Sequence, residues 1–322
     1  MVFWSVAPYL STQTPFSSHI IEKDALPSPT GNAAIRITRS MATPEVLTEI
    51  GSYLRTYFGN PPHTPVLDIP ESQLLLHRDY LFLVRDKEGQ IAGTIRYRYT
   101  GKLLVDTSSI VWPDIYRVDA FCIRPDWRKK GVGDYLLTEL QRYVNVNGHY
   151  YSMFLKEGPY LPIIHRPLYS STYVYRCIVY NAHVAPHVIL ISSAQAYHML
   201  DVYHGIYPTV CIIRNQHGNQ HWRYYKHGYS TILACFQDTY QRLEGKRIAW
   251  CTAWLESSVV TDEIRKEAAI ELTSTLPSFD YVWMNKEWVG NDSTWKQDGG
   301  FHWYTYQWST NLELDGSMCI LD

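Results

Sequence analysis

Between residues 124 and 133 the chain sets four cations and two glycines in one run, Arg124-Pro125-Asp126-Trp127-Arg128-Lys129-Lys130-Gly131-Val132-Gly133. If this run opens a helix, the first amides there have no intrahelical acceptor, and the helix dipole adds partial positive charge. Glycines at 131 and 133 let that backbone come close to an anion. Arg124, Arg128, Lys129 and Lys130 add charge-assisted contacts, and the amides of Val132, Gly133 and Asp134 complete a cradle suited to a diphosphate. The plainer alternative is a basic turn ahead of an ordinary amphipathic helix.

Such a cradle needs a strand to deliver it and a helix to receive it. Residues 115–123 read as a strand, and a helix beginning near Val132 carries Leu136, Leu137, Leu140 and Val144 on one face before Gly148. Upstream, Thr43 caps a helix with Pro44 in its first position and Leu47, Ile50, Leu54 and Phe58 as its apolar stripe. Strands over 80–85 and 91–99 form a hairpin around Asp86-Lys87-Glu88-Gly89-Gln90, and 149–155 is the next strand. The second half repeats this grammar. Strands are expected over 187–192, 208–215, 229–236 and 247–254, with a short helix over 194–200. A helix capped by Thr261, with Ile264, Ala268 and Leu272 on one face, precedes strands at 281–284 and 302–308. The pattern predicts a mixed α/β fold of two similar units, 36–180 and 181–322, behind an extended arm formed by the first 35 residues.

The Arg128-x-x-Gly131-x-Gly133 loop, following the strand end Ile123-Arg124-Pro125, resembles the coenzyme A motif of the GNAT superfamily of acyl-CoA-dependent N-acyltransferases. The resemblance sharpens toward the N-myristoyltransferases, whose fold is two fused GNAT units. Phe3-Trp4-Ser5 followed by Ala7-Pro8 is similar to that family's amino-terminal FW-x-TQP element, which contacts the cofactor. Ala120-Phe121-Cys122-Ile123 followed by Arg128-Lys129-Lys130 resembles its FLCVHKKLRSKR block, and Gly158 with Leu161-Pro162 its G-x-x-LP step. The run from Asp298 to Trp308 is similar to its DG-x-LQYYLYNW signature. There are two departures. Gly131 and Gly133 stand where that family has bulkier residues, which is the general acetyltransferase form. Phe154-Leu155-Lys156-Glu157-Gly158 replaces a YTAG step that helps hold an amino-terminal glycine.

The resemblance implies a tandem GNAT-like fold, acyl-CoA (myristoyl-CoA or acetyl-CoA) as co-substrate, and a protein or peptide amine as acceptor. It implies cofactor contacts from Phe3, Trp4, Phe121, Cys122, Ile123, Arg128, Lys129, Lys130, Gly131, Val132, Gly133 and Asp134, and an oxyanion hole at the amides of Ala120 and Phe121. It makes the terminal α-carboxylate the base, here that of Asp322 at the end of an apolar tail. A free α-carboxylate titrates at roughly 3.3–3.7, so burial under the tail has to raise it. A frayed end without a role is the other reading of Asp322. Asp119, on one strand face with Phe121, is the fallback base; pairing with Arg117 or a neighbouring strand is its structural reading. Acyl length stays open, with acetyl or short-chain transfer as the runner-up to myristoyl transfer. A catalytically degenerate scaffold is the third possibility.

Composition narrows the classes further. A formal charge of −2, from 29 basic and 31 acidic residues, lacks the basic excess of a nucleic-acid binder. Six scattered cysteines point to a reducing, cytoplasmic setting rather than a disulfide framework. Neither a signal peptide nor a spanning helix is read, so a soluble protein is expected; it is taken as a monomer. His183 and His187 are separated by Pro186, and His217 and His221 flank a presumed hairpin turn. Neither pair has a carboxylate or cysteine at ligand spacing, so no metal centre is expected. The aromatic clusters around Trp222, Trp250 and Trp303 are assigned to core or groove packing.

Overall fold

The computed structural model describes residues 16–18, 25–59, 66–102, 113–148, 151–161, 167–181, 183, 185–206, 219–306 and 308–310. Phe3, Trp4, Asp322 and the strand expected over 208–215 lie outside the described residues.

The first half opens with β1 (Phe16–Ser18), β2 (Ile35–Thr38) and α1 (Pro44–Tyr57), whose Thr43 side chain accepts from the Val46 amide. It continues through β3 (Val66–Leu67), α2 (Glu71–Leu74), β4 (Tyr80–Arg85), β5 (Ile91–Lys102), β6 (Asp114–Ile123), α3 (Val132–Asn147) and β7 (Ser152–Glu157). After β8 (Tyr169–Cys177) the order recurs: β9 (Val188–Leu190), α4 (Ser193–Ile206), β10 (Gln220–His227), β11 (Ser230–Leu243), β12 (Lys246–Glu256), α5 (Asp262–Ser274) and β13 (Tyr281–Asn285). The chain closes with β14 (Lys296–Tyr306) and β15 (Trp308–Thr310), and β15 pairs with β1.

Thirteen of the described strands make one sheet in the order β2-β4-β5-β6-β7-β14-β8-β13-β12-β11-β10-β9, with β3 against β11. Its described pairs are antiparallel except β6·β7 and β12·β13. Those two are joined by the crossover helices α3 and α5, as parallel neighbours require. The last strands are exchanged: β14, which follows β13, lies on β7, while β8, which follows β7, lies on β13. β14 and β8 pair at the centre.

Strand alternation explains how both faces are covered. On β4, Phe82 and Val84 pack with the α3 side chains Leu136 and Leu140, while Leu81 and Leu83 pack with Ile50 and Leu54 of α1. On β11, Ile232, Ala234 and Phe236 face α5, and Leu233 and Cys235 face α4. Strands buried on both faces read as continuous apolar runs, which is why these were legible. Two were not. The polar alternation of β8 and of β10 hid both, and His221, expected at a turn, lies within β10. β10 turns into β11 at Gly228 with φ 60°, and His217 and Gly218 lie outside the described residues.

Candidate functional site

β6 carries the site's central irregularity. It pairs with β5 at Asp119↔Arg96 and Cys122↔Thr94, so Ala120 and Phe121 together oppose Ile95. This is a bulge, and Ala120 takes φ 45°, in the left-handed region that a non-glycine residue seldom enters. The Thr94 hydroxyl fixes it by donating to the Ala120 carbonyl at 2.9 Å. The Tyr53 hydroxyl lies 3.1 Å from the Cys122 carbonyl and 3.2 Å from that of Ala92, tying α1 to the same stretch. On its other side β6 pairs with β7 only at Tyr116↔Ser152 and Arg117↔Met153. Beyond that point the two strands have no ladder between them, and a cleft opens.

At the end of β6 a 3₁₀ turn over Pro125–Trp127 leads into Arg128, Lys129 and Lys130, all exposed. Lys129 at φ 62° and Gly131 at φ 85° are both left-handed, turning the chain into α3. Gly131 is the N-cap and offers no side-chain cap, unlike Thr43 of α1 and Thr261 of α5. The first described helical bond runs from the Tyr135 amide to the Gly131 carbonyl, so the amides of Val132, Gly133 and Asp134 precede the helical ladder. A Cβ on Gly133 would sit 3.2 Å from the Phe121 ring, so bulge and helix start touch there.

The basic residues divide. Arg124 donates to Asp126 at 2.7 and 2.9 Å and to Asp86 at 2.6 Å. It locks the β4–β5 hairpin and is not part of the cradle, because its charge is already neutralised. The Arg128 Nε donates to the Ile123 carbonyl at 3.0 Å, and Lys130 lies 5.0 Å over the Trp127 ring. Cys122 is buried and its thiol is pushed up to about 11 by that burial, so it packs rather than reacts.

The cleft holds a cavity of about 310 Å³ lined by Val118, Asp119, Ala120 and Phe121 of β6, Phe154 and Glu157 of β7, and Gln237 to Gln241 of β11. A second cavity of about 560 Å³ adjoins it through Glu157, Gln241, Trp283 and Phe301. Both halves of the chain therefore line each of these neighbouring cavities. The floor of the first is ionic. Arg96 grips Asp119 at 2.6 and 2.8 Å, and Arg98 stands 3.8 Å away. Arg117 lies 5.3 Å over the Trp303 ring and 5.9 Å over that of Trp250. Burial acts to raise the Asp119 carboxyl, but Arg96, then Arg117 and Arg98, hold it below the usual range. A carboxylate so bound is a weak proton acceptor, which makes Asp119 an ion-pair member whose partner comes from the neighbouring strand.

Besides Asp238, which Arg247 holds at 2.7 Å, two other carboxylates face the cleft. Asp298 is the extra residue of a bulge in β14, between the pairs Gln297↔Val174 and Gly299↔Tyr173. Glu157 ends β7 opposite Phe301. The Glu157 carboxyl is raised by burial and by Asp298, and that of Asp298 by burial. The sequence pointed at both only indirectly, through the altered step at Lys156-Glu157 and the Asp298-Gly-Gly run. Arg96 and Arg98 gave no sequence signal at all.

Residues 47–159 match the acetyltransferase (GNAT) family. This segment is a GNAT-family domain. It covers α1, the β4–β5 hairpin, the bulged strand, the glycine loop and β7. The whole chain shares its fold with N-myristoyltransferase of Saccharomyces cerevisiae. The structure of that enzyme with bound myristoyl-CoA and inhibitors superposes at TM-score 0.66 and 10% identity, covering 100% of this chain and 93% of that one. A second, with bound myristoyl-CoA, gives TM-score 0.67 at 10% identity over 97% and 89%. Comparison with curated proteins by sequence gives no match. The exchanged strands thus join a GNAT domain to a second unit of similar plan. At the matching place in that second unit, α5 opens with the Thr261 cap and acidic Asp262 and Glu263. Acidic residues in that first turn disfavour an anion there.

Proposed function

We propose that the chain is an N-acyltransferase that moves an acyl group from acyl-CoA to an amine, in the manner of an N-myristoyltransferase. The observation that carries this reading is the uncapped, glycine-opened start of α3 in contact with a strand bulge that borders a cleft. On this reading the diphosphate of coenzyme A rests on the amides of Val132, Gly133 and Asp134, with Arg128, Lys129 and Lys130 beside it. Its pantetheine arm runs over Phe121 into the gap between β6 and β7. The thioester carbonyl meets the amides of the Ala120–Phe121 bulge, which stabilise the oxyanion.

The acceptor nitrogen attacks the carbonyl carbon; its bond forms as the carbon–sulfur bond breaks, its proton passes to a base, and the thiolate takes up a proton. Glu157 and Asp298 give an arriving ammonium a seat. Their raised pKa values suit proton acceptance better than that of Asp119 does. Resemblance assigns the final proton to the terminal carboxylate of Asp322. A peptide acceptor, with its amino-terminal glycine amine, suits a cleft lined by both halves. A short acyl group is the second reading, favoured by the guanidinium-lined floor of the first cavity, since buried charge is a poor neighbour for a hydrocarbon chain.

Thiol release from acyl-CoA should appear only when an amine acceptor is present, and its absence with every acceptor would leave a scaffold. Calorimetry with myristoyl- and acetyl-CoA separates the two acyl readings. Each buried methylene contributes about 0.8 kcal/mol, so a long-chain site prefers the former by orders of magnitude. Equal affinities would remove the myristoyl reading. A carboxyl-terminal extension that leaves turnover intact would remove Asp322 from the mechanism.

A further inference from the structure

Away from the cleft, where β9 and β10 meet α5, four side chains from three places in the chain converge. Glu267 and Glu271 lie one turn apart on α5, so their charges oppose each other. Neither has a Lys or Arg ion pair among the described residues; what faces them is a pair of imidazoles. The His187 Nδ1 is 2.9 Å from Glu271 and 3.5 Å from Glu267, and the His227 Nδ1 is 3.6 Å from Glu267. His187 comes just before β9, and His227 ends β10. One ligand atom from each of His187, His227 and Glu267 fits within 4.8 Å of the others. Below them, the buried Tyr225 hydroxyl approaches His227 at 3.4 Å.

We propose that His187, His227 and Glu267 form a site for a zinc-class divalent cation, with Glu271, which accepts from the His187 amide, beside it. Bonds of 2.0–2.2 Å at tetrahedral angles put neighbouring ligand atoms about 3.3 Å apart. The separations of 3.5 and 3.6 Å within the trio lie close to that value. Two imidazoles with one carboxylate select a borderline ion over the all-oxygen shells of Mg²⁺ and Ca²⁺. One movement is required. The rings stack at 4.2 Å with planes 12° apart, and parallel rings cannot both aim a lone pair at one ion. His227, 45% exposed at its side chain, turns out of the stack, while Glu271 keeps His187 in place until the ion displaces the proton between them. The ion would neutralise the glutamate pair and fasten the sheet edge at β9 to α5. Sequence spacing could not show this set, because its members are brought together only by the β9·β10 ladder and the packing of α5.

The test is independent of acyl transfer. The full chain, stripped with chelator, is titrated calorimetrically with Zn²⁺ alone and spectroscopically with Co²⁺. One equivalent of Zn²⁺ should bind and raise Tm, and Co²⁺ should develop the visible bands of a four-coordinate site. His227→Gln and Glu267→Gln, at partly exposed positions that leave folding intact by circular dichroism, should each weaken binding at least tenfold. Zn²⁺ binding that survives both substitutions unchanged, the absence of stoichiometric binding, or an equal response to Mg²⁺ would overturn the proposal.

Discussion

Arg96 is 3% exposed and holds Asp119 through two short bonds, at the place where β5 and β6 depart from regular pairing. Removing one partner of a buried pair leaves the other charge without compensation. Arg96→Met should cost about 3 kcal/mol in urea unfolding, the lower end of the range for such pairs, because Arg98 and Arg117 remain nearby. The pH dependence follows from the direction of the Asp119 shift. Its folded pKa lies below the ordinary value of about 3.9, so its contribution is complete above that pH and is lost as pH falls through the folded pKa. The variant should therefore lose most of its stability difference from the parent in acid. A difference that stays constant from pH 7 to pH 3 would contradict the ion-pair account. Glu157 and Asp298 run the other way: with folded pKa values raised, they favour the fold below the ordinary carboxylate range and oppose it as pH rises.

The cradle depends on how closely α3 lies against β5. Gly93 makes that approach possible: a Cβ there would fall 2.8 Å from Ile123 Cδ1 and Val132 Cγ1 and 3.0 Å from Leu136 Cδ1. Gly93→Ala should lower stability by about 1–3 kcal/mol through overpacking. It should also weaken coenzyme A binding, since Val132 and the amides beside it are pushed off the strand, although residue 93 touches no ligand in this scheme. Calorimetry paired with chemical unfolding checks both. Reduced stability with unchanged coenzyme A affinity would separate the helix position from the cradle. The glycine loop itself was legible, because its chemistry is local: cations, two glycines and an apolar stripe within one stretch. Gly93 was not, because its neighbours come from the end of β6 and the start of α3.

Across the whole molecule, the exchanged strands tie the halves into one body. Tyr306 of β14 belongs to the apolar cluster around α3, its hydroxyl donating to the Leu137 carbonyl at 3.3 Å, and Ser152 donates to the Tyr306 carbonyl at 3.1 Å. A fragment spanning residues 1–180 loses β14 and leaves β7 with a bare edge and the α3 cluster open. Such a fragment should fail to fold, and the full chain should unfold in one thermal transition by both tryptophan fluorescence and far-ultraviolet circular dichroism. Two separated transitions, or a folded fragment, would show that the GNAT domain is self-sufficient.

The sequence by itself determined what is written locally. Helix caps at Thr43 and Thr261, the αL end of α3 at Gly148, the doubly buried strands and the glycine loop each depend on residues within a turn or a strand length of one another. Tertiary structure decided everything that pairs across distance. The β7–β14–β8–β13 exchange, the placing of Asp119 against Arg96, the meeting of Glu157 with Asp298 and the convergence of His187, His227, Glu267 and Glu271 all follow from register and sheet order. A side chain's alternation along a strand says which face it takes. Which residue stands across from it is set only when the ladders close, because backbone hydrogen bonds are indifferent to the identity of the strands they join.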